Sequence, residues 1–180
     1  MTRLLRFESS VLPHLDAAYN LARWITRNDN DAEDAVQEAF MRALRYFDRM
    51  KGSDARPWLL GIVRNTCYTW LEKNRPSDLV ALDDAEAQVA EIEAAGAASG
   101  YGATPEVILL QSANRKLVNQ ALEELPVGYR EVIVMREIED MSYKEIAAVA
   151  GIPLGTVMSR LSRGRELLKG MIESRMRRAS

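Results

Sequence analysis

The chain is poor in the residues that build metal sites, disulfides and membrane spans. It holds one cysteine, Cys67, and one histidine, His14. A single cysteine excludes an internal disulfide, and these two residues cannot form a zinc-ligand cluster. Uncharged apolar runs such as residues 58–63 are far shorter than the ~18 residues that span a bilayer. The N-terminus also lacks a signal-peptide core, so we expect a cytoplasmic protein with no membrane insertion.

The signatures of catalysis are missing as well. The sequence has no glycine-rich phosphate loop, and His14 has no serine, cysteine or metal partner at a suggestive spacing. The acidic pair Asp83 and Asp84 falls in a predicted linker. We interpret His14 as an ordinary helix residue and Cys67 as an ordinary buried thiol. We therefore expect no enzyme, no catalytic residue, no metal and no cofactor.

The net charge of −2 hides a strong asymmetry along the chain. Residues 76–114 contain no Lys or Arg and seven Asp or Glu. Residues 156–180 contain seven Lys or Arg and two Asp or Glu, a net charge of +5. Because nucleic-acid binding depends on where charge lies more than on its sum, the last segment is the candidate DNA-binding segment.

Apolar residues in the first part of the chain repeat at helical spacing, and no convincing run alternates with period two. Pro13 interrupts the first helical segment, which therefore begins as two pieces. Asn30 or Asp31 is suited to cap the second segment. The three predicted segments cover residues 4–26, 32–47 and 55–74. Their short connections, including a turn at residues 51–54, predict a compact helical domain.

Composition changes after this domain. Residues 76–104 are rich in Ala, Gly and acidic side chains and can bury little apolar surface, so they predict a flexible acidic linker. Helical spacing resumes at residue 105 and gives four further segments. They cover residues 107–122, 126–141, 142–150 and 156–175. The predicted fold is all-α, with an N-terminal domain (1–75), a linker (76–104) and a C-terminal domain (105–180).

The last two segments have the features of a helix-turn-helix from Tyr143 to about Lys169. Ser142, followed three residues later by Glu145, predicts a capping box. Two helices that cross at roughly 90–120° need a small residue at their contact and a glycine at the bend. Ala147 and Gly151 supply these features.

The second helix of this motif has hydroxyl and guanidinium groups on its predicted outer face. Such groups reach base edges and phosphates when a helix lies in the major groove. The outer-face residues are Thr156, Ser159, Arg160, Ser162, Arg163 and Arg165, with Lys169 further along. The alternative is a four-helix packing module whose last helix has a solvated basic face.

The helix at residues 55–74 places aromatic side chains among basic and amide groups. Trp58 and Trp70 lie on the same segment as Arg64, Asn65 and Lys73. This mixture suits single-stranded nucleic acid, because exposed aromatic rings stack on unpaired bases. The alternative, which is the commoner case for tryptophan, is that both rings belong to the core.

Three motifs in this order and spacing resemble the extracytoplasmic-function (ECF) sigma factors, the smallest members of the bacterial primary-sigma family. They are DAEDAVQEAFMRAL at 31–44, ARPWLLGIVRNT at 55–66, and LP at 125–126 with YKEIA at 143–147 and GTVMSRLSRGR at 155–165. The resemblance covers both predicted domains and omits only the linker. It implies an alternative sigma factor that binds core RNA polymerase and promoter DNA and is controlled by an anti-sigma factor.

The resemblance also implies roles for particular residues. Polymerase contacts, to the β′ coiled coil, would be Asp34, Gln37, Glu38 and Arg42, whereas the residues alone indicate only the polar face of an amphipathic helix. A second contact, to the β flap, is also implied. The −10 element would be bound by Met50, Lys51, Arg64 and Asn65. Capture of a flipped −10 base would lower the cost of unpairing, a few kcal/mol per nucleotide.

The −35 element would be read by the second helix of the helix-turn-helix. The implied contacts are Thr156, Met158, Ser159, Arg160, Ser162, Arg163, Arg165 and Lys169. Met158 departs from the family, where Lys or Arg is frequent, and a contact to a thymine methyl is the alternative there. The competing function is a stand-alone helix-turn-helix regulator with an N-terminal effector domain.

Overall fold

The computed structural model describes residues 1–79 and 115–180, and every regular element within these two ranges is helical. No helix in these ranges combines the length and apolar composition required to cross a membrane. The prediction of an all-α fold is confirmed. The acidic linker, apart from residues 76–79, and the start of the predicted helix at 107–122 lie outside the described residues.

The first predicted helix is divided at proline, as expected. Helix α1 spans Arg3–Val11, a 3₁₀ turn spans Leu12–His14, and α2 spans Leu15–Thr26. Pro13 lies within the turn, where its missing N–H group removes no α-helical hydrogen bond. Helix α2 then ends at Arg27, which has a left-handed backbone (φ 58°) and donates its N–H to Arg23 O.

Helix α3 spans Asp29–Tyr46 and α4 spans Ala55–Asn74. The N-cap of α3 is Asn28, whose side chain accepts from Asp31 N at 3.0 Å. The predicted cap at Asn30 or Asp31 was therefore wrong by two or three residues, because the helix begins earlier than its apolar stripe. The bounds of α4 agree with the predicted segment.

Four helices make up the described C-terminal part. Helix α5 spans Arg115–Glu124, α6 spans Val127–Ile133, α7 spans Tyr143–Ala150 and α8 spans Leu154–Ala179. Helix α6 continues into a π-helical segment, Val134–Ile138. The prediction of one helix over 126–141 therefore missed a change of hydrogen-bond register. Helix α8 also begins two residues before its predicted start.

The N-terminal and C-terminal helices share one hydrophobic core. Helix α4 packs against α7, and α2 packs against α6. Gly61 of α4 faces the backbone of Val149 in α7, and a Cβ atom on Gly61 would lie 3.8 Å from Val149 O. The second half of the chain thus covers one side of α4, the helix that carries Arg64 and Asn65.

Candidate DNA and polymerase interfaces

The turn of the helix-turn-helix is built as its sequence predicts. The Ser142 hydroxyl accepts from Glu145 N at 3.1 Å and donates to the Glu145 carboxylate at 3.3 Å. Gly151 has a left-handed backbone (φ 67°), and its N–H donates to Ala147 O at 2.9 Å. This backbone reverses the chain so that α8 begins at Leu154, directly after the bend.

Helix α8 buries one stripe of side chains in the core, and its other side chains are half-buried or exposed to solvent. Its buried residues include Val157, Leu161 and Gly164, which pack toward the preceding helices of the C-terminal domain. A Cβ atom on Gly164 would lie 2.9 Å from Ile133 Cδ1 and 3.3 Å from Tyr129 Cβ, so a larger residue there would require side chains of α6 to shift. The predicted contacts with half-buried side chains are Thr156, Ser159, Arg160, Ser162, Arg163 and Arg165, and those with exposed side chains are Met158 and Lys169.

The arginines of this face are not equally available. Arg163 Nη1 lies 3.4 Å from Glu166 Oε2 one turn along the helix, and this ion pair is weak because the Glu166 side chain is exposed to solvent. Arg165 instead donates to the Glu137 carboxylate at 2.7 Å, and the Glu137 side chain is 6% exposed. Both side chains are half-buried, but Arg165 is bound to a buried carboxylate outside its own helix, whereas the partner of Arg163 is an exposed carboxylate on the same helix.

The four residues predicted to bind the −10 element lie in two different settings. Lys51 is exposed and Met50 half-buried in the connection between α3 and α4, where Gly52 has φ 89°. Asp54 ends this connection by accepting from Arg56 N at 3.0 Å. Asn65 is exposed on α4.

Arg64 points toward the C-terminal half of the chain. Its Nε and Nη2 atoms donate to the two carboxylate oxygens of Glu131 at 3.1 and 3.2 Å, and its guanidinium lies 3.7 Å from the centre of the Tyr68 ring. The Tyr68 hydroxyl donates to Glu131 Oε1 at 2.9 Å. Glu131 is fully buried, so Arg64 is enclosed in a polar cluster between the two domains.

The charges of this cluster shift the titration of its members. Burial opposes the charge of Arg64, but the Glu131 carboxylate outweighs it and raises the Arg64 pKa. Burial and then the Glu131 charge raise the pKa of Tyr68 well above its usual value. The same two causes raise the pKa of Cys67 to about 12. At neutral pH the Arg64 guanidinium is therefore charged, and the Tyr68 phenol and the Cys67 thiol are neutral.

A second buried arginine joins the domains and was not found from sequence. Arg130 is 2% exposed and donates to Trp24 O at 2.6 Å and Ile25 O at 3.2 Å, both at the end of α2. It also donates to carbonyl groups at the end of α5, those of Glu123 and Leu125. Burial lowers its pKa to about 10, so the guanidinium stays charged at neutral pH. It donates hydrogen bonds to backbone carbonyl groups at the ends of two helices.

The predicted polymerase contacts lie on one helix, α3. Asp34, Gln37 and Glu38 are exposed, and Arg42 is partly exposed and forms an ion pair with Glu38 one turn earlier. Gln37 also lines a groove of about 800 Å³ between α2 and α3. The apolar lining residues of this groove include Leu15, Tyr19, Val36 and Phe40, and its acidic ones are Asp16, Glu33 and Glu139.

Both tryptophans on α4 pack against the core and remain partly exposed. The Trp58 ring meets the buried Phe47 ring edge-on, with centroids 6.4 Å apart. Arg75 lies over the Trp70 ring at 4.7 Å. These contacts give each ring a place in the core, which is the commoner of the two alternatives for tryptophan.

Comparison with known proteins identifies both halves of the chain. Residues 11–76 match the Sigma-70 region 2 family, and residues 115–168 match the family described as Sigma-70, region 4. The chain is 36% identical over 151 residues to the ECF RNA polymerase sigma-E factor of Escherichia coli (strain K12), which covers 82% of this chain and 77% of the relative. The sigma-E factor of Haemophilus influenzae is 34% identical over 159 residues, covering 87% of this chain and 81% of the relative.

Solved structures agree with the sequence relatives. The sigma factor RpoE of Bartonella quintana, crystallised with the anti-sigma factor NepR, matches with a TM-score of 0.66 and 26% identity over 93% of this chain and 97% of that one. CnrH in complex with the cytosolic domain of CnrY matches with a TM-score of 0.63 and 25% identity, covering 93% and 88%. The chain belongs to the extracytoplasmic-function family of RNA polymerase sigma factors.

Proposed function

We propose that this alternative sigma factor binds core RNA polymerase through α3, reads the −35 element with α8, and helps to open the −10 element with α4 and the α3–α4 connection. The observation that carries this proposal is the presence of both modules in one chain, in the order that the sigma-E relatives share. A stand-alone helix-turn-helix regulator would not need the N-terminal module. Sigma factors are transcription initiation factors and not enzymes.

The exposed face of α3 is the proposed contact to the β′ coiled coil, and the C-terminal domain is proposed to contact the β flap. Asp34 and Glu38 put negative charge on this face. The opposite face of α3 is buried and carries small side chains, such as those of Ala35 and Ala39. A rigid, charged helix surface favours rapid and specific docking to a basic partner.

Charge reversal tests this polymerase contact. Glu38→Arg should weaken binding to core polymerase by about tenfold or more, because it reverses a charge in the proposed contact and removes the ion pair with Arg42. Glu72→Arg is the matched control, since Glu72 is equally exposed but lies on α4. Fluorescence titration of core polymerase measures both affinities, and equal losses would refute the assignment of α3.

The proposed −10 contacts are Lys51 to a phosphate, Asn65 to a base, Met50 at the wall of a base pocket, and Arg64 to the backbone. Lys51 and Asn65 are exposed in the present arrangement, whereas Arg64 is engaged by Glu131. Capture of one extruded base offsets a few kcal/mol of unpairing, so the factor assists melting without hydrolysing a nucleotide.

We also propose control by an anti-sigma factor, because the two structural neighbours are sigma factors in complexes of that kind. The groove between α2 and α3 suits a helix with an apolar face and basic flanks, given its apolar lining and the carboxylates of Asp16, Glu33 and Glu139. A helix bound there would contact Gln37 and Glu139 together, and so would restrain both domains. The acidic linker proposed for residues 76–104 would let the domains separate upon release.

Run-off transcription with purified core polymerase tests the function as a whole. The chain should direct specific transcription from its own promoter, and core polymerase alone should not. Tight DNA binding by the isolated chain without any run-off product would favour the stand-alone regulator. For the anti-sigma factor, a protein recovered with the chain from non-inducing cells should block this run-off, and recovery of polymerase alone would contradict that control.

A further inference from the structure

Three glutamates of one helical segment each bind an arginine, and two of those arginines are proposed DNA contacts. Glu131 binds Arg64 of α4, and Glu137 binds Arg165 of α8. Glu139, at the end of the π-helical segment, accepts from the Asn20 side chain at 2.7 Å and lies 3.9 Å from Arg56. Of these three, Glu131 lies deepest, with no exposed side-chain surface.

The Glu131 contact has the geometry with which arginine binds a phosphate. Both carboxylate oxygens of Glu131 accept from two different nitrogens of Arg64, at 3.1 and 3.2 Å. This two-pronged arrangement is the one that guanidinium groups use for phosphate oxygens as well as for carboxylates. The carboxylate therefore occupies the donors that a DNA phosphate would need.

The surrounding packing prevents a simple exchange of Glu131 for DNA. Gly61 lies one turn before Arg64 on α4, and a Cβ atom on Gly61 would lie 3.8 Å from Val149 O and 3.9 Å from Val149 Cα. Helix α7, the first helix of the helix-turn-helix, thus covers α4 at this point. The Arg64 side chain is 16% exposed and that of Glu131 is fully buried, so the C-terminal domain restricts access of a phosphate to the Arg64 guanidinium.

We propose that Glu131 is an internal phosphate mimic, which keeps Arg64 occupied in a closed form of the free chain and makes domain separation a condition for −10 binding. The inference rests on the proposed −10 role of α4. It requires no partner protein, because Arg64, Tyr68 and Glu131 belong to the same chain.

The energetics of burial favour a reversible contact between Arg64 and Glu131 over a permanent one. A fully buried carboxylate loses its hydration. The attraction between Glu131 and Arg64 offsets much of this loss only while Arg64 and Tyr68 both remain bound to the carboxylate. When the domains separate, water replaces both partners and DNA can bind Arg64. Loss of the Glu131 charge alone leaves Arg64 unpaired in the closed form and so shifts the equilibrium toward the open form.

Glu131→Gln tests this lock in the full-length chain, because glutamine keeps the volume and can still accept the Tyr68 hydrogen bond. Spin labels at Met41→Cys and Met176→Cys, both exposed positions on α3 and α8, report the distance between the domains in a Cys67→Ala background. The open-to-closed ratio should rise about tenfold or more. Glu173→Gln removes the same charge from an exposed position of the same domain and should leave the distance distribution unchanged.

A second substitution keeps the test decisive if Glu131→Gln unfolds the chain. Arg64→Gln should open the chain to a similar extent, and the double variant should open it no further than either single variant, since both remove one interaction. Additive opening would overturn the proposal. A Glu131→Gln chain that is destabilised but stays closed would also overturn it.

The phosphate-mimic role has its own readout. Glu131→Gln should bind a fluorescein-labelled single-stranded A/T-rich oligonucleotide more tightly than Glu173→Gln, with a salt dependence steeper by about 0.7 in log–log slope, as one added phosphate contact gives. Adding Arg64→Gln should remove this difference. Equal binding by the two glutamine variants would overturn the proposal. The distance measurement contains no polymerase and no promoter, so its failure is distinct from a failure of the sigma function.

Discussion

Arg64 and Asn65 are neighbours in sequence and were predicted to serve the same element, yet they face different surroundings. Asn65 is exposed on α4, while Arg64 lies against the C-terminal domain and its carboxylate Glu131. Consecutive residues on a helix point about 100° apart. The sequence predicted the helix and its polar residues, but it could not predict which side of α4 a second domain covers.

Among the residues of α8 proposed to contact the −35 element, Arg163 is the best choice for substitution, because its partner Glu166 lies on the exposed surface of the same helix. Arg163→Ala should weaken −35-dependent transcription by roughly 1–3 kcal/mol if the side chain contacts a base. Binding to core polymerase should be unchanged. Arg175→Ala is the matched control, since Arg175 lies on the same helix but pairs with Glu124 of α5. Loss of polymerase binding in Arg163→Ala would contradict the assigned role.

Cys67 provides a prediction about pH. Burial and the Glu131 charge raise its pKa to about 12 in the folded chain, above the ordinary thiol value of ~8.5. Since the folded pKa is the higher one, this contribution to stability is complete below the ordinary value and is lost as pH rises toward about 12. Urea unfolding should therefore show a decline of up to about 1.4 kcal/mol per pH unit in that window.

The comparison for this prediction is Cys67→Ala, which removes the thiol. Its free energy of unfolding should fall less steeply with alkaline pH than that of the natural chain. Tyr68, whose pKa is raised for the same reasons, titrates in both proteins and leaves a common residual slope. Identical slopes would mean that the thiol is not protected as the structure indicates.

At the level of elements, the helix-turn-helix shows what local chemistry can predict. Ser142 and Gly151 fixed both ends of α7, because a hydroxyl cap and a left-handed residue act over a few bonds. The π-helical segment after α6 has no comparable cap or turn residue that would predict it from sequence. Its hydrogen bonds, such as Glu139 N to Val134 O at 3.1 Å, follow from how this stretch packs between α2 and α7.

Gly151 and Gly155 of the helix-turn-helix allow a controlled comparison of the effect of alanine substitution on stability. A Cβ atom would meet nothing within 4 Å at Gly151 or at Gly155, but only Gly151 has a positive φ. Gly151→Ala should therefore lower the free energy of unfolding by about 1–2 kcal/mol. Gly155→Ala, in the first turn of α8, should leave it unchanged or raise it by up to about 1 kcal/mol. Thermal unfolding decides between these outcomes, and equal effects would contradict the role of the bend.

For the whole molecule, periodicity predicted the helical class, and the resemblance of three motifs to a known family predicted the order of the modules. They did not predict how the domains meet, because that contact depends on Arg130 and Glu131. Both residues are buried within α6 among apolar neighbours. Charged residues are rarely buried unless paired. Arg130 binds nearby carbonyls at the end of α5, but the partners in the other domain lie on α2 and α4, more than sixty positions away in sequence. Only the folded chain brings these groups together.

The proposed sigma function requires that this chain give RNA polymerase its promoter specificity through two DNA-reading modules. Genome-wide mapping of sites bound by the chain, with parallel mapping of polymerase, tests it most directly. We expect sites that polymerase also occupies and that share two separated sequence blocks, with Arg163→Ala weakening selection of the upstream block alone. Sites with a single block, bound where polymerase is absent, would contradict it.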